Sequence, residues 1–365
     1  GKTATCEVTV TPPPDISIDV TPDGTNTFAF YATATRLTVD WGDGATEEFT
    51  NIDIHTDAVT HTYANNEKRL VTIIAEGLTE FGDDTTPLGS GSGGVTTNRS
   101  IAGSMEKINC SHCPDLKGIY ILHNALTEAD MSGAPQVENV FLVGNGNLAA
   151  LNLTGCTALS YLWCSYTQLA ALDVSDCTNL TRLDCAYNQL ETLDVSGCPN
   201  LIEFYCINNQ LTSLDVSNHT ALTRLSCDEN QLGSLNISGC TALVELNCGR
   251  NQLTSLDAST NTALTRLHCY VNQLGSLDVS GCTALVYLDC GINRLTGLDV
   301  SSNTAIKQLY CDENQFSATA LNNVFTALPS RVPSDYARIY ITENPGTSAC
   351  NTSIATAKNW TVVNE

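Results

Sequence analysis

The chain has 365 residues and is strongly acidic, with a formal net charge of −23 at pH 7. Nucleic acid and anionic membrane surfaces repel such a protein, so this charge argues against either as a partner. The sequence contains no apolar run of about 18 residues, so we expect no membrane-spanning helix. The length predicts two or three domains.

Residues 1–14 form a polar segment that ends in three prolines, Pro12, Pro13 and Pro14. Proline-rich segments favour extended backbone, so we predict an extended leader here. We expect the start to be a mature or truncated N-terminus, from which a secretion signal has been removed.

Residues 15–81 show the short alternating apolar patterns that are typical of β-strands. Candidate strands lie at 16–20, 27–32, 37–41 and 69–75. The third runs into a tight turn, where Gly42 and Gly44 permit positive φ and Asp43 can accept bonds from the backbone. This spacing predicts a small β-sandwich.

Two motifs in this segment, Val-Asp-Trp-Gly-Asp-Gly at 39–44 and His-Thr-Tyr at 61–63, resemble those of the PKD domain. The resemblance implies an Ig-like β-sandwich in which Trp41 packs in the core and Asp43 organises the turn. The alternative is a Ca²⁺ site at Asp40 and Asp43. Two carboxylates on one turn are too few for the six to eight oxygen ligands of calcium, so a structural role is favoured.

Residues 82–104 are rich in glycine, serine, threonine and aspartate, with Gly-Ser-Gly-Ser-Gly-Gly at 89–94. This composition predicts one of two structures. The segment is either a flexible linker before the repeat region, or a long loop within the first coil of that region.

The segment 105–316 is built on a 21-residue repeat. One copy places apolar residues at Leu180, Leu183 and Leu190, with Cys185 and Asn188 between them. A fixed period of this length predicts a solenoid, because a single copy cannot bury its apolar face alone. The repeated cysteines are Cys164, Cys185, Cys206, Cys227, Cys248, Cys269, Cys290 and Cys311.

Each copy is expected to form a narrow coil with a strand on one side and a strand-like segment on the other, since its second half imitates its first. In the strand, Leu183 and Cys185 point inward and Asp184 points outward. The Asn188 amide is expected to bond the backbone of the coils above and below. Counting from Leu116, the sequence gives ten coils.

The cysteines of the chain number seventeen, yet the repeat explains most of them without disulfides. A second column is formed by Cys156, Cys177, Cys198, Cys240 and Cys282, and histidine or asparagine replaces cysteine in other coils. We therefore interpret both columns as small apolar core residues with free thiols. Cys110 and Cys113 form a Cys-x-x-Cys motif, but they also fit the repeat register. Cys6 and Cys350 lie outside the columns.

The repeat resembles the 21-residue class of bacterial leucine-rich repeats, with the pattern LxxLxCxxNxLxxLDLxxN. The resemblance implies a mostly β protein in which about ten coils come after the sandwich. Residues 317–365 lose the period and predict a C-terminal α/β cap, with helices at 319–328 and 350–358 and strands at 337–342 and 360–363.

The outward positions of the strands should carry any function. One column alternates in sign on neighbouring coils from Arg182 to Arg266, which predicts a stabilising charge ladder. Aromatic side chains gather on the same face and predict recognition of a protein surface or a sugar ring, although aromatic residues also simply suit strands. The candidate binding residues are Tyr161, Trp163, Tyr166, Tyr187, Tyr205, His268, Tyr270, Tyr287 and Tyr310.

The second half of each coil carries a column of aspartates. Bonds to nearby serine hydroxyls or turn amides are the favoured explanation for so many like charges in a row. A Ca²⁺-binding ladder is the alternative, and its ligands would be Asp194, Asp215, Asp257 and Asp278.

No catalytic motif is recognisable, so we expect a non-enzymatic protein without a cofactor, unless calcium binds. We interpret the chain as a monomeric, secreted or cell-surface bacterial protein that binds a protein or glycan of a host or bacterial surface, in an adhesion-like role. The alternatives are a structural spacer with an unoccupied repeat face, or a calcium-stabilised surface array.

Overall fold

The computed structural model describes residues 14–53, 55, 58–82 and 104–364. The predicted leader lies outside these residues except for Pro14. The predicted linker also lies outside them except for its ends, Gly82 and Ser104, and both ends belong to strands.

The N-terminal segment forms a two-layered β structure. Strand β2 is unusually long because it serves both layers. Its first part pairs with β4 and β6, and its second part pairs with β3 and β5. The two strands predicted at 27–32 and 37–41 are therefore one strand. The bounds are β1 Ile16–Thr21, β2 Thr27–Asp40, β3 Thr46–Ile52, β4 Ala58–Thr62, β5 Arg69–Glu76, β6 Glu80–Gly82 and β7 Ser104–Asn109.

The first half of each coil adds one parallel strand to a long sheet, here called the front sheet, which begins at β4, β2 and β6. Its further strands are β8 Gly118–Tyr120, β10 Asn139–Phe141, β12 Tyr161–Trp163, β13 Arg182–Asp184, β14 Glu203–Tyr205, β16 Arg224–Ser226, β18 Glu245–Asn247, β20 Arg266–His268, β22 Tyr287–Asp289, β23 Gln308–Tyr310, β24 Arg338–Tyr340 and β25 Thr361–Val363.

The second halves form the rear of the solenoid. There the order β3–β2–β5–β1–β7–β9–β11 continues the other layer of the sandwich, and two separate strand pairs come after it. The added strands are β9 Glu128–Asp130, β11 Ala150–Asn152, β15 Ser213–Asp215, β17 Ser234–Asn236, β19 Ser255–Asp257 and β21 Ser276–Asp278.

Both layers of the sandwich thus continue into the solenoid, and one hydrophobic core runs from Ile16 to Trp360. Trp41 is fully buried in this core, as the PKD resemblance implies. Cys113 lies at the junction and donates from Sγ to the Asp15 carbonyl oxygen (2.8 Å). The sandwich is therefore packed as the first layer of the solenoid.

The described solenoid has about twelve turns, more than the predicted ten. The additional front strands are β24 and β25 at the C-terminal end. They escaped the count because their spacing is not 21 residues: Leu309 pairs in register with Ile339, and Ile339 pairs with Val362. The helices α1 Ala318–Ala327 and α2 Ser353–Thr356 occupy the longer connections.

The two helices agree with the predicted secondary structure after residue 316. Ser317 caps α1, since its side chain accepts from the Ala320 amide. Lys358 donates from Nζ to the carbonyl oxygens of Phe325 and Leu328 at the other end of this helix (3.3 and 2.7 Å). No helix among the described residues is both long and apolar enough to cross a membrane.

The inward leucines and cysteines of the repeat are buried as predicted, and all sixteen described cysteines are free thiols. Burial raises the pKa of the Cys248 thiol to about 12. Such thiols stay protonated at neutral pH, and therefore they pack as small neutral side chains and are poor nucleophiles.

The repeated asparagines join each coil to the one before it. The Asn230 side chain donates to the carbonyl oxygens of Cys206 (2.9 Å) and Cys227 (3.1 Å), and its Oδ1 accepts from the Leu211 amide (3.0 Å). The prediction of bonds both above and below is therefore half right: each asparagine bonds its own and the preceding coil.

The second cysteine column also donates hydrogen bonds, so its interpretation as purely apolar is wrong. Cys240 donates from Sγ to the Val216 carbonyl oxygen (3.0 Å). Asn261 makes the equivalent bond to Ile237 (3.1 Å), and His219 lies 3.2 Å from the carbonyl oxygen of Val195. Cysteine, asparagine and histidine interchange here because each offers a donor to the carbonyl 24 residues upstream.

Candidate functional site

The outward side of the front sheet carries aligned columns of polar side chains. In the middle of the sheet, Glu203 lies 3.0 Å from both Arg182 and Arg224 in ion pairs with the two neighbouring coils. Arg224 lies 3.9 Å from Glu245. The alternating column is thus the predicted charge ladder, and its cross-strand pairs stabilise the parallel register.

An aromatic group lies on the N-terminal side of this ladder. Phe141 packs between Tyr120 and Tyr161, with ring centroids 5.3 and 4.7 Å away, and it also contacts Trp163 at 6.3 Å. Together with Leu122 and Val143, these rings form a small hydrophobic cluster outside the main core. The front sheet therefore has its own packed layer at this end.

A second aromatic group lies on the C-terminal side of the ladder. The ring of Tyr287 lies 4.7 Å from His268 and 5.3 Å from Tyr310. Tyr310 and Tyr340 are stacked, with centroids 4.1 Å apart and planes 6° apart. Burial lowers the pKa of His268, which keeps its imidazole neutral at physiological pH.

The predicted binding residues fall into two sets. Six lie on front strands: Tyr161, Trp163, Tyr205, His268, Tyr287 and Tyr310. Three lie in the turns after the strands: Tyr166, Tyr187 and Tyr270. Placing these three on the strand face was wrong, because the chain has already turned with a positive φ at Tyr166 and Tyr187.

The prediction that these rings are exposed is also wrong for most of them. Only Tyr166 and Tyr187 are exposed, at 55% and 38%, and they stack on each other with centroids 4.3 Å apart. The rings on the strands are half-buried because rungs about 4.8 Å apart bring neighbouring rings into contact. Tyr270 lies over Gly249, where any side chain would collide with its ring.

Sequence reasoning missed three aromatic residues of the site: Tyr120, Phe141 and Tyr340. They lie in the end coils, where the period is irregular. It found the alternation of arginine and glutamate but missed that the preceding residue alternates with it, between threonine and isoleucine or valine. This alternation is visible in the sequence at Thr181, Ile202, Thr223, Val244 and Thr265.

Two carboxyl groups on the front sheet are held in unusual surroundings. Burial raises the pKa of Asp184 to about 6, and it raises that of Asp289 to about 6 as well. Asp184 lies between Trp163 and Tyr205 in its column, and Asp289 lies between His268 and Tyr310. Both carboxyl groups are therefore flanked by aromatic rings and are only partly exposed to water.

The aspartate column of the rear is explained by local bonds to turn amides. Asp194, Asp215, Asp257 and Asp278 each accept from the amide of the serine two residues later, at 2.8–2.9 Å. Bonding to the serine backbone amide is the largest cause that lowers the pKa of Asp194 and Asp215. Asn236 makes the same bond to Ser238. The favoured explanation of this column, bonding to nearby turns, is confirmed.

The turn of the PKD-like motif is likewise held by protein groups. Asp40 accepts from the Gly42 amide (2.9 Å), and Asp43 accepts from Ala45 (3.0 Å). The other oxygen of Asp43 lies 3.0 Å from His61 Nε2, and the His61 ring stacks on Trp41 at 4.8 Å. In the described part of the chain, no three histidine, cysteine or acidic side chains converge as metal ligands.

Comparison with known proteins supports the repeat class. A family model for two copies of leucine-rich repeats matches residues 178–219. No curated protein sequence matches the chain. Among solved structures, the functional domain of InlJ from Listeria monocytogenes, described as including a cysteine ladder, is 27% identical, with a TM-score of 0.56. The match covers 73% of this chain and only 56% of that one.

Two further structures share the fold. An internalin, InlF from L. monocytogenes, is 18% identical over 79% of this chain and 86% of its own, with a TM-score of 0.52. YopM, a leucine-rich effector protein from Yersinia pestis, is 24% identical over 63% and 67%, also with a TM-score of 0.52. The chain is therefore a leucine-rich-repeat protein with 21-residue coils similar to those of bacterial internalin-type proteins. The PKD resemblance stays a prediction.

Proposed function

We propose that this chain is a non-enzymatic binding protein, either secreted by a bacterium or displayed on its surface. We further propose that the front sheet binds a protein partner. One observation carries the proposal: two aromatic groups and a charge ladder lie in register on the same face. Solenoids offer such extended surfaces for binding, and aromatic and arginine side chains contribute strongly to protein interfaces.

The charge ladder favours a protein over a glycan as the partner. Alternating Arg182, Glu203 and Arg224 carry both signs within three coils. Such a pattern fixes the orientation of a partner that has its own charge pattern. Such charges contribute more to specificity than to affinity.

An array of extracellular proteins and glycans tests the proposal. Each hit is measured again with two variants that carry three substitutions each. The front variant combines Tyr205→Ala, His268→Ala and Tyr310→Ala. The rear control combines Asp215→Asn, Asp257→Asn and Asp278→Asn, which keep their turn bonds as Asn236 does. Circular dichroism confirms that both variants are folded.

We expect protein hits whose affinity falls at least about tenfold in the front variant and less than twofold in the rear control. Hits that survive the front variant would contradict the proposed surface, and an array without any hit would favour the spacer. A melting midpoint that rises with calcium and falls in chelator would favour the calcium-stabilised array instead.

A further inference from the structure

Two glutamates in the middle of the front face have arginine partners, whereas two aspartates at its C-terminal end have none among the described residues. Glu203 has an arginine on each side at 3.0 Å, and Glu229 lies 3.8 Å from Arg250. Among the described residues, no lysine or arginine lies within ion-pair distance of Asp289 or Asp312. These two carboxyl groups therefore have no cationic partner in direct contact.

The unpaired carboxylates lie among stacked rings, in what we call the C-terminal patch: Tyr287, Asp289, Tyr310, Asp312 and Tyr340. Asp289 lies beside Tyr310 in register, and its Oδ1 accepts from the Gly291 amide (3.2 Å). Asp312 leans over Gly291, because a Cβ placed there would lie 3.1 Å from its Oδ1. Burial raises the pKa of Asp312 as well.

The charge ladder stops where the patch begins. Its column reads Arg182, Glu203, Arg224, Glu245 and Arg266 on successive coils. The next two positions are Tyr287 and Gln308. The alternation would place an arginine at position 308, and glutamine stands there instead. The alternation thus supplies no arginine beside Asp289. Arg338 holds the column position on the following strand.

The basic side chains near the patch, as far as the structure describes them, form no ion pair with its aspartates. Lys307 pairs with Asp335 at 2.8 Å. Arg338 is exposed and lies on the same strand as Tyr340. Neither forms an ion pair with Asp289.

The same sheet shows which group fits such surroundings. The guanidinium of Arg182 lies 4.9 Å from the ring centroid of Tyr161 and 5.8 Å from that of Tyr205, and it pairs with Glu203. A planar guanidinium can stack on aromatic faces and pair with a carboxylate at the same time. The patch offers tyrosine rings and carboxylates in the same register, but among the described residues no guanidinium pairs with those carboxylates.

We propose that the C-terminal patch receives an arginine side chain from a loop of the protein partner. This inference rests on the proposed function of the front sheet and gives its partner a chemistry. The guanidinium pairs with Asp289 and packs against the rings of Tyr287 and Tyr310. Lysine would pair with the same carboxylate more weakly, because an ammonium has no planar face to stack.

A blocked Gly-Arg-Gly peptide is a direct probe, with its citrulline analogue as the uncharged control of nearly equal shape. Protein with isotope-labelled tyrosine rings is titrated with each peptide at pH 7.5 and followed by NMR. The ring signals are assigned with Tyr→Phe variants. We expect saturable shifts at Tyr287, Tyr310 and Tyr340 with the arginine peptide only. Equal shifts with the citrulline peptide would overturn the proposal.

Two isosteric variants separate the patch from general attraction to an acidic protein. Asp289→Asn should fold, because Asn247 holds the same column position and accepts the same bond from the Gly249 amide (3.2 Å). Asp257→Asn removes one charge from the rear. We expect Asp289→Asn to reduce the affinity for the arginine peptide at least about tenfold, and Asp257→Asn to reduce it less than twofold.

Equal weakening by the two variants would show nonspecific attraction and refute the site. If calcium alone produced the same saturable shifts of the tyrosine ring signals, the patch would be a metal site. That result would also refute the arginine proposal. Failure of the function and failure of this inference are distinguishable. An array hit that is lost in the front variant but unchanged in Asp289→Asn upholds the front sheet as an interface and refutes the arginine pocket.

Discussion

The asparagine ladder can be tested at Asn230, in the middle of the solenoid. Replacement by alanine removes the acceptor of the buried Leu211 amide and the donor to Cys206 and Cys227. The two carbonyls keep one partner each, because Asn209 also donates to Cys206 and Asn251 to Cys227. Only the Leu211 amide is left unpaired.

The expected cost is the sum of these losses. An unpaired buried amide costs about 1–3 kcal/mol, and each lost bond whose acceptor stays satisfied costs about 0.5–1.5 kcal/mol. We expect Asn230→Ala to destabilise its coil by about 2–6 kcal/mol. Amide exchange at Leu211 should accelerate by roughly 30- to 20,000-fold, since about 1.4 kcal/mol corresponds to a factor of ten.

Hydrogen exchange by mass spectrometry measures this locally, without assuming that the solenoid unfolds in one step. Gln231→Ala is the control, since Gln231 is the exposed neighbour. Asn230→Asp should be at least as damaging, because it keeps the acceptor for Leu211 but directs a carboxylate at the carbonyl oxygens. Equal exchange at Leu211 in Asn230→Ala and Gln231→Ala would refute the ladder as a source of stability.

Three further substitutions have defined outcomes. Ile292→Asn should raise the melting temperature by relieving about 1 kcal/mol of backbone strain. Ile292 is β-branched and has a φ of 54°, whereas Asn208 holds the equivalent position with a φ of 51°. Asp184→Asn should raise the free energy of unfolding, measured with urea above pH 6, by about 1–2 kcal/mol. This figure allows for the partial exposure of the Asp184 side chain. Because burial raises the pKa of Asp184 to about 6, the folded state binds its proton more tightly than the unfolded state. The gain should therefore shrink as pH falls and vanish below about pH 4. His219→Asn should leave the unfolding midpoint nearly unchanged, whereas His219→Leu should reduce the free energy of unfolding by about 1–3 kcal/mol, because only asparagine keeps a donor for the Val195 carbonyl.

The coils could be predicted from sequence because their period determines which side chains face inward. Leu183 and Cys185 had to share one face of a strand, and both are buried. The ends could not be predicted, since the spacing from Leu309 to Ile339 has no precedent in the repeat. The helix α1, which fills this gap, was nevertheless visible as a local amphipathic pattern.

The sequence predicted which side chains of the candidate site share a column, but not which of them touch. Periodicity placed Tyr287 and Tyr310 on the same face, yet it could not show that their rings pack on each other. Ring direction depends on the space that neighbours leave, as with Tyr270, which lies over Gly249 because glycine has no side chain. The raised pKa of Asp289 results from the same packing and was equally invisible in the sequence.

The two halves of each coil are held by the same kind of bond, which fixes the spacing of the front strands. Asn188 in the front column and Asn261 in the rear column each donate to the carbonyl 24 residues upstream, at 2.9 and 3.1 Å. Both edges of a coil are thus tied to the coil before it, which holds the front strands in parallel register. Trp163 and His268 lie five rungs apart in that register, or about 24 Å at 4.8 Å a rung. A partner that contacts both aromatic groups must span this length, so it has to be a folded domain or an extended chain of about seven residues or more.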